Sequence, residues 1–345
     1  MNRRAFLRGA GALAASPLLA PLPASAQQRA ARFADMHAHL GSRQGLSFRE
    51  AMARGGMLIV AEKVISDMPI VRLVGNRLAS VREAQPGELR RTFEAGMKRR
   101  RRRIREEGLV EIASTESLDR VLSEHAPAVV LAAEGADFLE GDLAYLDRAR
   151  AEGLVHLQLV HYYAQSGIGD ISTAEPRHGG LSEFGGNLVR ACNRLGILVD
   201  VAHCSNAAMV QALEISSKPI VYSHGHISAR LPHPLQAGSA ARAIHAPIAR
   251  QMAAKGGVVG LWPNRLVFAD MNLYADEVAR MVDALGAAHV GIGSDLFGLV
   301  STIMPGYEEF AALEDELARR KLKDEEIGSV LGGNYVRVLR QALAA

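Results

Sequence analysis

The sequence predicts a single α/β domain of the (β/α)8 TIM-type barrel class. Six runs of apolar residues each end in a histidine, a glutamate or an aspartate, namely residues 33–37, 128–134, 154–161, 198–203, 219–224 and 289–295. Buried strands of a parallel sheet have near-continuous apolar sequences, and barrels of this class carry their catalytic residues where the strands end. We therefore expect six polar strand ends to converge on one mouth.

Two further apolar runs, residues 57–64 and 257–262, bring the number of predicted strands to eight, which is the number that a closed barrel needs. Helical patterns lie between the strands. They cover residues 88–107, 184–194, 206–215, 240–255 and 274–286. This alternation indicates parallel strands joined by crossover helices. Because no linker rich in proline, glycine or serine interrupts the pattern, we expect one domain over residues 27–345.

The first 26 residues have the pattern of an export signal. Arg3 and Arg4 precede an apolar stretch, and Ala24-Ser25-Ala26 matches a small-residue cleavage site. The apolar stretch is shorter than the ~20 residues of a membrane span and contains three prolines. We therefore expect a twin-arginine signal peptide over residues 1–26, a periplasmic or secreted protein, and no stable membrane span after the signal is removed.

The charge of the chain gives no support for a nucleic-acid partner, and the positions of its two cysteines exclude a disulfide between them. Removing the signal, which has three arginines and no acids, takes the formal charge from +3 to zero, so nothing in it favours a nucleic-acid partner. The basic run at residues 98–103 falls in the predicted amphipathic helix at 88–107, where long side chains can lie in water. Cys192 and Cys204 flank a strand roughly 20 Å long, which is too far for a disulfide.

The polar strand ends predict a metal site. His37 and His39 are two residues apart at a strand end, so their side chains share one face and can bind one ion. His203 and His224 each end a separate strand, and Glu134 ends a strand between these two pairs. A carboxylate between two clusters of imidazoles can bridge two metals ~3.5–4 Å apart and hold a hydroxide where it can attack a carbonyl.

Asp295 ends the last predicted strand. A carboxylate at this point can accept the proton of a metal-bound water and pass it to a departing amine. A turn or helix-cap role explains an aspartate at the start of a loop equally well.

Together these motifs resemble the metal-dependent amidohydrolase superfamily and, more specifically, the membrane (renal) dipeptidase family. The order HxH, Glu, His, His, Asp at successive strand ends is that of the superfamily. The closer resemblance rests on residues 180–185, 193–203, 223–224, 256–259, 291–295 and 332–337, of which 193–203 is the most specific. These stretches span nearly all of the chain after the signal.

The resemblance implies a ligand set for two zinc ions. It makes His37 and His39 ligands of one zinc, His203 and His224 ligands of the other, and Glu134 the bridge. Three further residues match functional positions of the family. His161 resembles the histidine that contacts the substrate and the tetrahedral intermediate, although a core histidine is the simpler alternative, and Asp295 resembles the proton shuttle.

Arg242 precedes Gly256-Gly257 by 14 residues, the offset at which the family carries an arginine that binds the substrate's terminal carboxylate. That match rests on spacing alone, so a surface arginine explains it equally well. Arg230, six residues after His224, is the alternative candidate.

The chain departs from the family pattern at three places. The family has HxD at the first strand, where this chain has His39, so the first metal site loses a negative charge. The loop after His161 has Tyr162 and Tyr163 where the family tends to have an asparagine. Phe297 stands where the family usually has a second aspartate. These changes leave metal-dependent hydrolysis in place but bear on the identity of the substrate.

The sequence thus predicts a zinc-dependent dipeptidase with two zinc ions per chain, which acts on a small-molecule substrate, a dipeptide or a related N-acyl amino acid, through a metal-bridging hydroxide. One alternative is a binuclear amidohydrolase acting on a lactam, a lactone or another non-peptide amide, prompted by Tyr162, Tyr163 and Phe297. A non-catalytic metal-binding barrel is a further alternative. A homodimer is compatible with the sequence.

Overall fold

The computed structural model describes residues 32–39, 41, 46–230 and 238–344. The predicted signal peptide, residues 1–26, lies outside the described residues. The strands are β1 (Phe33–Ala38), β2 (Met57–Ile65), β3 (Val71–Val74), β4 (Arg77–Ser80), β5 (Val110–Ile112), β6 (Ala128–Glu134), β7 (His156–Gln158), β8 (Leu198–Asp200), β9 (Val221–Ser228), β10 (Ala243–His245), β11 (Val258–Leu261) and β12 (Val290–Ile292).

The α-helices are α1 (Phe48–Gly55), α2 (Glu88–Glu106), α3 (Thr115–Glu124), α4 (Tyr145–Ala151), α5 (Glu183–Leu195), α6 (Asn206–Ile215), α7 (Ala246–Ala254), α8 (Met271–Leu285), α9 (Glu309–Arg319), α10 (Asp324–Gly328) and α11 (Asn334–Leu343). Short 3-10 turns cover Asp137–Leu139, Gly238–Arg242 and Ala287–His289.

Eight parallel strands form a nearly closed barrel, which confirms the predicted fold. They lie side by side in the order β1, β2, β6, β7, β8, β9, β11 and β12. The two end strands meet where the amide of Asp295 donates to the carbonyl of His37 at 2.8 Å and the amide of His39 donates to that of Leu296 at 2.9 Å. The eight barrel strands are the eight that the apolar runs predicted. The antiparallel pair β3–β4 stands apart as a hairpin.

Several barrel strands are shorter than their apolar runs. Strands β7, β8 and β12 end at Gln158, Asp200 and Ile292, three residues before His161, His203 and Asp295 respectively. These three functional candidates therefore lie in the loops that leave the barrel rather than in the sheet. Because all barrel strands are parallel, these loops leave the same end of the barrel.

The predicted helix at residues 240–255 is wrong in its first half. Residues 238–242 form a 3-10 turn, Ala243–His245 form β10 beside β9, and α7 begins only at Ala246. Pro247 explains the late start, because proline has no N–H and fits the first turn of a helix but not its interior. The difference matters for the site, since it places Arg242 at the edge of the barrel. The other predicted helices begin and end within three residues of α2, α5, α6 and α8.

Two glycines let β9 lie close to its neighbours. A Cβ atom at Gly260 would stand 1.9 Å from the carbonyl oxygen of Ser223, and one at Gly293 would stand 2.0 Å from the same atom. No side chain fits at either position without a shift of the strand. This close packing fixes the backbone of Ser223 and therefore of His224 beside it.

The basic run at residues 98–103 lies on α2, as predicted, with Phe93, Met97 and Ile104 buried on the opposite face. One of its members departs from the expectation of a fully hydrated face. Arg100 reaches inward, where its Nε lies 2.8 Å from Oε1 of buried Glu62.

Both cysteines are free and buried, as expected. Within the described residues, no helix combines the length and apolar character that crossing a membrane requires.

Candidate metal centre and active site

The carboxylate of Glu134 lies at the centre of five imidazoles. The Nε2 atoms nearest to its oxygens belong to His203 at 3.3 Å, His161 at 3.4 Å, His37 at 3.5 Å, His39 at 3.5 Å and His224 at 3.8 Å. All six side chains are buried, and the most accessible residue, His39, is only 7% exposed. The structure thus brings together the five predicted metal ligands and His161.

The loops that carry two of these groups have unusual backbone geometry. His203 has a φ of 66° and Asp295 a φ of 50°, both in the left-handed region that residues other than glycine rarely occupy. Such conformations persist only where the surrounding structure holds them, and they are concentrated at functional sites. Here they turn the two side chains back over the end of the barrel.

Possible ligand atoms fall into three overlapping groups, each within 4.8 Å: His37 with His39 and Asp295, His37 with Glu134 and His224, and Glu134 with His161 and His203. Glu134 and His37 are each shared between two groups. This partition differs from the one that the resemblance implies, which pairs His203 with His224. Asp295 gives the first group a carboxylate, because its Oδ1 lies 3.1 Å from Nε2 of His39.

The donor set fits divalent metal ions such as zinc. Within the described part of the chain, Nε2 of His37 and both ring nitrogens of His203 are buried without a hydrogen-bond partner. Burial and then the charge of Arg242 hold the pKa of His203 well below its usual value. Neutral imidazoles and a carboxylate are the ligands that zinc prefers, and a buried orphan nitrogen is expected where a metal binds.

The carboxyl group of Glu134 is ionised. Burial raises the pKa of this carboxyl group, but the neighbouring imidazoles of His161 and His37 outweigh that effect, and its pKa lies well below the usual value. For His39, burial is outweighed by Asp295 and Glu134, which raise the pKa of the imidazole to about 9. Glu134 therefore supplies an ionised carboxylate for a cation, and a metal ion bound at His39 would displace the proton of that imidazole.

Ser223 connects two of the candidate ligands. Its hydroxyl lies 3.3 Å from Nδ1 of His37 and 3.0 Å from Nδ1 of His224. The Nε2 atoms of both rings are consequently directed towards Glu134, and that of His224 also lies 2.8 Å from Nη2 of Arg242. Outer hydrogen bonds of this kind fix the orientation of metal-binding histidines.

Asp67 is a site residue that sequence reasoning missed. Its Oδ1 lies 2.7 Å from Nδ1 of His161, and its Oδ2 accepts a hydrogen bond from the amide of Tyr162 at 3.0 Å. It follows β2 at the same offset of two to three residues at which the other loop residues follow their strands. That position was the available signal, but the run at residues 57–64 was assigned no polar end.

The structure brings one of the two candidate arginines to the site. Arg242 is 4% exposed, with Nη2 2.8 Å from Nε2 of His224, and its Nη1 donates to the hydroxyl of Tyr162 at 3.2 Å. Its guanidinium carbon lies 5.3 Å from the centre of the Trp262 ring. Arg230 is exposed and does not line either cavity beside the cluster, so the structure leaves it outside the site.

Of the three residues that prompted a different substrate, only Tyr162 belongs to the site. Its ring lies edge-on to those of His161 and His203, with centroids 4.5 Å and 4.8 Å away. Tyr163 packs instead beside the hairpin, and Phe297 packs against Tyr307.

A family comparison agrees with this arrangement. Residues 79–345 match the sequence model of the membrane dipeptidase family, peptidase family M19. The chain belongs to this family. The match covers six of the eight barrel strands, all except β1 and β2, and it includes Glu134, His161, His203, His224 and Asp295.

Curated relatives bear the name dipeptidase. The chain is 27% identical over 234 residues to dipeptidase tcpJ of Claviceps purpurea, covering 64% of this chain and 52% of that protein. It is 30% identical over 193 residues to dipeptidase verJ of Clonostachys rogersoniana, covering 54% and 48%. Against human dipeptidase 3 the identity is 27% over 252 residues, covering 67% and 48%. The chain spans about half the length of the curated relatives that it matches.

Two solved structures share the fold. The probable dipeptidase PvdM of Pseudomonas aeruginosa superposes with a TM-score of 0.75 at 20% identity, covering 90% of this chain and 95% of the other. A metallopeptidase of Rhodobacter sphaeroides, bound to a phosphinate mimic of the dipeptide L-Ala-D-Ala, gives a TM-score of 0.75 at 16% identity, covering 90% and 99%.

Proposed function

We propose that this protein is a zinc-dependent dipeptidase that hydrolyses dipeptides or related N-acyl amino acids. The observation that carries the proposal is the arrangement of five imidazoles around Glu134 with the guanidinium of Arg242 beside them. The first part is a donor set for two zinc ions per chain, and the second is a partner for a substrate carboxylate. Membership of the membrane dipeptidase family supports the same activity.

The metals, when bound, would lower the pKa of a water molecule to give a hydroxide and would polarise the scissile carbonyl. We infer that Asp295 takes the proton of the attacking water and returns it to the leaving nitrogen, because its carboxylate borders the cluster and, within the described residues, pairs with His37 and His39 rather than with an arginine or lysine.

We infer that His161 stabilises negative charge on the carbonyl oxygen. Burial lowers the pKa of this imidazole, but the charges of Asp67 and Glu134 outweigh it, so that the pKa lies above its usual value. A protonated imidazole held by Asp67 can donate to an oxyanion without reorganising.

The test is a substrate panel with zinc-loaded protein. It contains L,L- and L,D-dipeptides, N-acyl amino acids, simple lactones and lactams. We expect hydrolysis of dipeptides or N-acyl amino acids. Removal of the metal should abolish this activity, and added zinc should restore it. A protein that binds zinc and turns over none of the amides would contradict the proposal and favour the non-catalytic metal-binding barrel.

One observation favours a second candidate, an amidohydrolase of lactams, lactones or other non-peptide amides. The hydroxyl of Tyr162 accepts a hydrogen bond from Nη1 of Arg242 and thus occupies one edge of the guanidinium that a substrate carboxylate would use. If that bond persists during turnover, a substrate without a carboxylate fits better. Faster turnover of lactones than of any dipeptide would support this second candidate function.

We also propose export by the twin-arginine route to the periplasm or the medium, supported by the pattern of residues 1–26. Replacement of Arg3 and Arg4 by lysine should retain the protein in the cytoplasm. A homodimer is likewise proposed, and light scattering of the purified protein tests it.

A further inference from the structure

A cavity of about 180 Å³ adjoins the metal centre. It shares Tyr162, Arg242 and Trp262 with the smaller space that reaches Glu134 and the histidines. A substrate whose scissile amide lies at the cluster would therefore extend past Arg242 into this cavity.

Four leucines from three separate segments line the outer part of the cavity, beside the polar residues Asn76, Arg77 and Thr173. The β3–β4 hairpin contributes Leu73 and Leu78, the loop after β11 contributes Leu266, and the loop after β12 contributes Leu299. Leu266 is 71% exposed and Leu73 is 56% exposed. Isolated exposed leucines are ordinary, but three of the eight exposed large apolar residues in the described part of the chain line this one opening.

Three residues of the inner wall have buried hydrogen-bond donors that lack a partner within the described residues. These are Nε of Arg242, Nε1 of Trp262 and Nδ2 of Asn264, all buried. The amide of Asn264 is held in place because its Oδ1 accepts from the amide of Leu266 at 2.8 Å, which leaves Nδ2 as its unpaired end. Unpaired buried donors are rare in native proteins, and a bound group with acceptor oxygens would satisfy them.

We propose that this cavity binds the carboxyl-terminal residue of the substrate and selects a bulky aliphatic or aromatic side chain there. Asn264 and Trp262 donate, with Arg242, to the oxygens of the substrate, while Leu73, Leu78 and Leu266 contact its side chain. An apolar cavity of about 150 Å³ accepts a benzene ring, so the volume suits a phenylalanine or leucine side chain. This inference rests on the proposed dipeptidase function and names the substrate class.

The first test compares Ala-Phe, Ala-Leu and Ala-Gly as substrates of the zinc-loaded protein. A pocket for a large apolar group should favour Phe and Leu over Gly by about tenfold or more in kcat/KM. The double variant Leu73→Asp/Leu266→Asp should lower the ratio of Phe to Gly turnover at least about tenfold, since a charge then faces the apolar side chain. Leu273→Asp is the matched control, because Leu273 is 47% exposed on α8 and does not line the cavity. Equal turnover of all three substrates, or an unchanged ratio in the double variant, would overturn the inference.

A second test does not need turnover. Trp262 is the only tryptophan of the chain and lines the cavity, so its fluorescence reports binding there. Titration with L-phenylalanine should give a saturable change at lower concentration than titration with glycine. The double variant should weaken the response to L-phenylalanine, whereas Leu273→Asp should not. A fluorescence response to L-phenylalanine in a protein that hydrolyses no dipeptide would support the pocket and contradict the proposed function. Hydrolysis of dipeptides without this response would support the proposed function and contradict the pocket.

The role of Asn264 is tested by Asn264→Asp, which keeps the acceptor for the amide of Leu266 but replaces the unpaired donor by a negative charge. We expect the fluorescence change to require at least about a tenfold higher concentration of L-phenylalanine. The concentration of L-phenylalaninamide, which carries no carboxylate, should change little. Equal effects on the two ligands would show that Asn264 does not contact the carboxylate.

Discussion

The carboxylate of Asp67 lies 2.7 Å from Nδ1 of His161 and directs the Nε2 of that imidazole towards Glu134, 3.4 Å away. The pair is buried, so its charges act at short range with little screening by water. Two consequences follow, one for the protonation of His161 and one for its orientation. The effect on protonation can be separated from the effect on orientation by its dependence on pH.

We expect Asp67→Asn to lower kcat by about 10- to 100-fold, the usual effect of losing the partner of a functional histidine. The pKa of His161 is raised by Asp67, so the variant should have a lower pKa. The protonated imidazole exists below its pKa and is lost as the pH rises. The limb of the pH–rate profile that reports this loss should therefore move to lower pH. Asp119→Asn, at an exposed site on α3, is the control. A lower kcat with an unmoved limb would show that Asp67 orients His161 or supports structure and does not set the protonation of His161.

Some residues of the site are marked by a local sequence pattern, and others are not. His37, Glu134, His203 and His224 could be predicted because each follows a run of buried β-type residues, and parallel strands bring such ends together. Arg242 could be placed only by its spacing within the family, since neither the 3-10 turn that ends at Arg242 nor the short strand β10 after it has a distinctive pattern.

Other features depend on packing that no local pattern encodes. Lys63 is fully buried and lies 2.9 Å from Oδ2 of Asp200 and 3.0 Å from Nε2 of His156. A lysine in an apolar run is ordinarily expected at the surface, and only the closure of the barrel brings its two partners within reach. The donors of Trp262 and Asn264 likewise gain their meaning from the cavity that they line.

We predict close to two zinc ions per chain by elemental analysis of protein folded with excess zinc. Glu134→Gln should reduce the content to one or fewer, because Glu134 is shared between two of the three ligand groups. Ligands that bind only the native state raise its stability, so zinc should increase Tm of the parent more than that of the variant. A ceiling of one ion in the parent would exclude the binuclear arrangement.

We predict that Asp295→Asn keeps its metal and loses most turnover. An amide can neither accept nor return a proton, and general acid–base steps contribute ~10²–10⁴-fold. The measurement is kcat beside the zinc content of the same sample. Since Asp295 also lies in one ligand group with His37 and His39, loss of one zinc in the variant would assign it to metal binding instead.

We predict that His39→Asp, which restores the family's HxD, still binds metal, because carboxylate oxygen and imidazole nitrogen both reach zinc at ~2.0–2.2 Å. The added negative charge should weaken the metals as Lewis acids and raise the pKa of the attacking water. The acidic limb of the pH–rate profile should then move to higher pH. Without metal, a third carboxylate beside Glu134 and Asp295 adds repulsion, so zinc should raise Tm more in the variant than in the parent. An unmoved limb and an equal rise in Tm, with both metals present, would mean that His39 is not a ligand.

The last prediction separates a dipeptidase from a general amidase. A dipeptidase must recognise a free carboxylate, and the planar fork of a guanidinium can hold both oxygens in parallel hydrogen bonds. Arg242 is buried beside His224, whereas Arg230 is exposed. Arg242→Met should therefore cost ~2–5 kcal/mol in kcat/KM for free-acid substrates, as expected when a buried charge loses its partner. Arg230→Met, the matched control, should leave kcat/KM nearly unchanged. Substrates with an amidated carboxyl terminus should be poor for the parent and little affected by Arg242→Met. Equal losses on acids and amides would show that Arg242 acts through its bond to Tyr162 and would favour a substrate without a carboxylate.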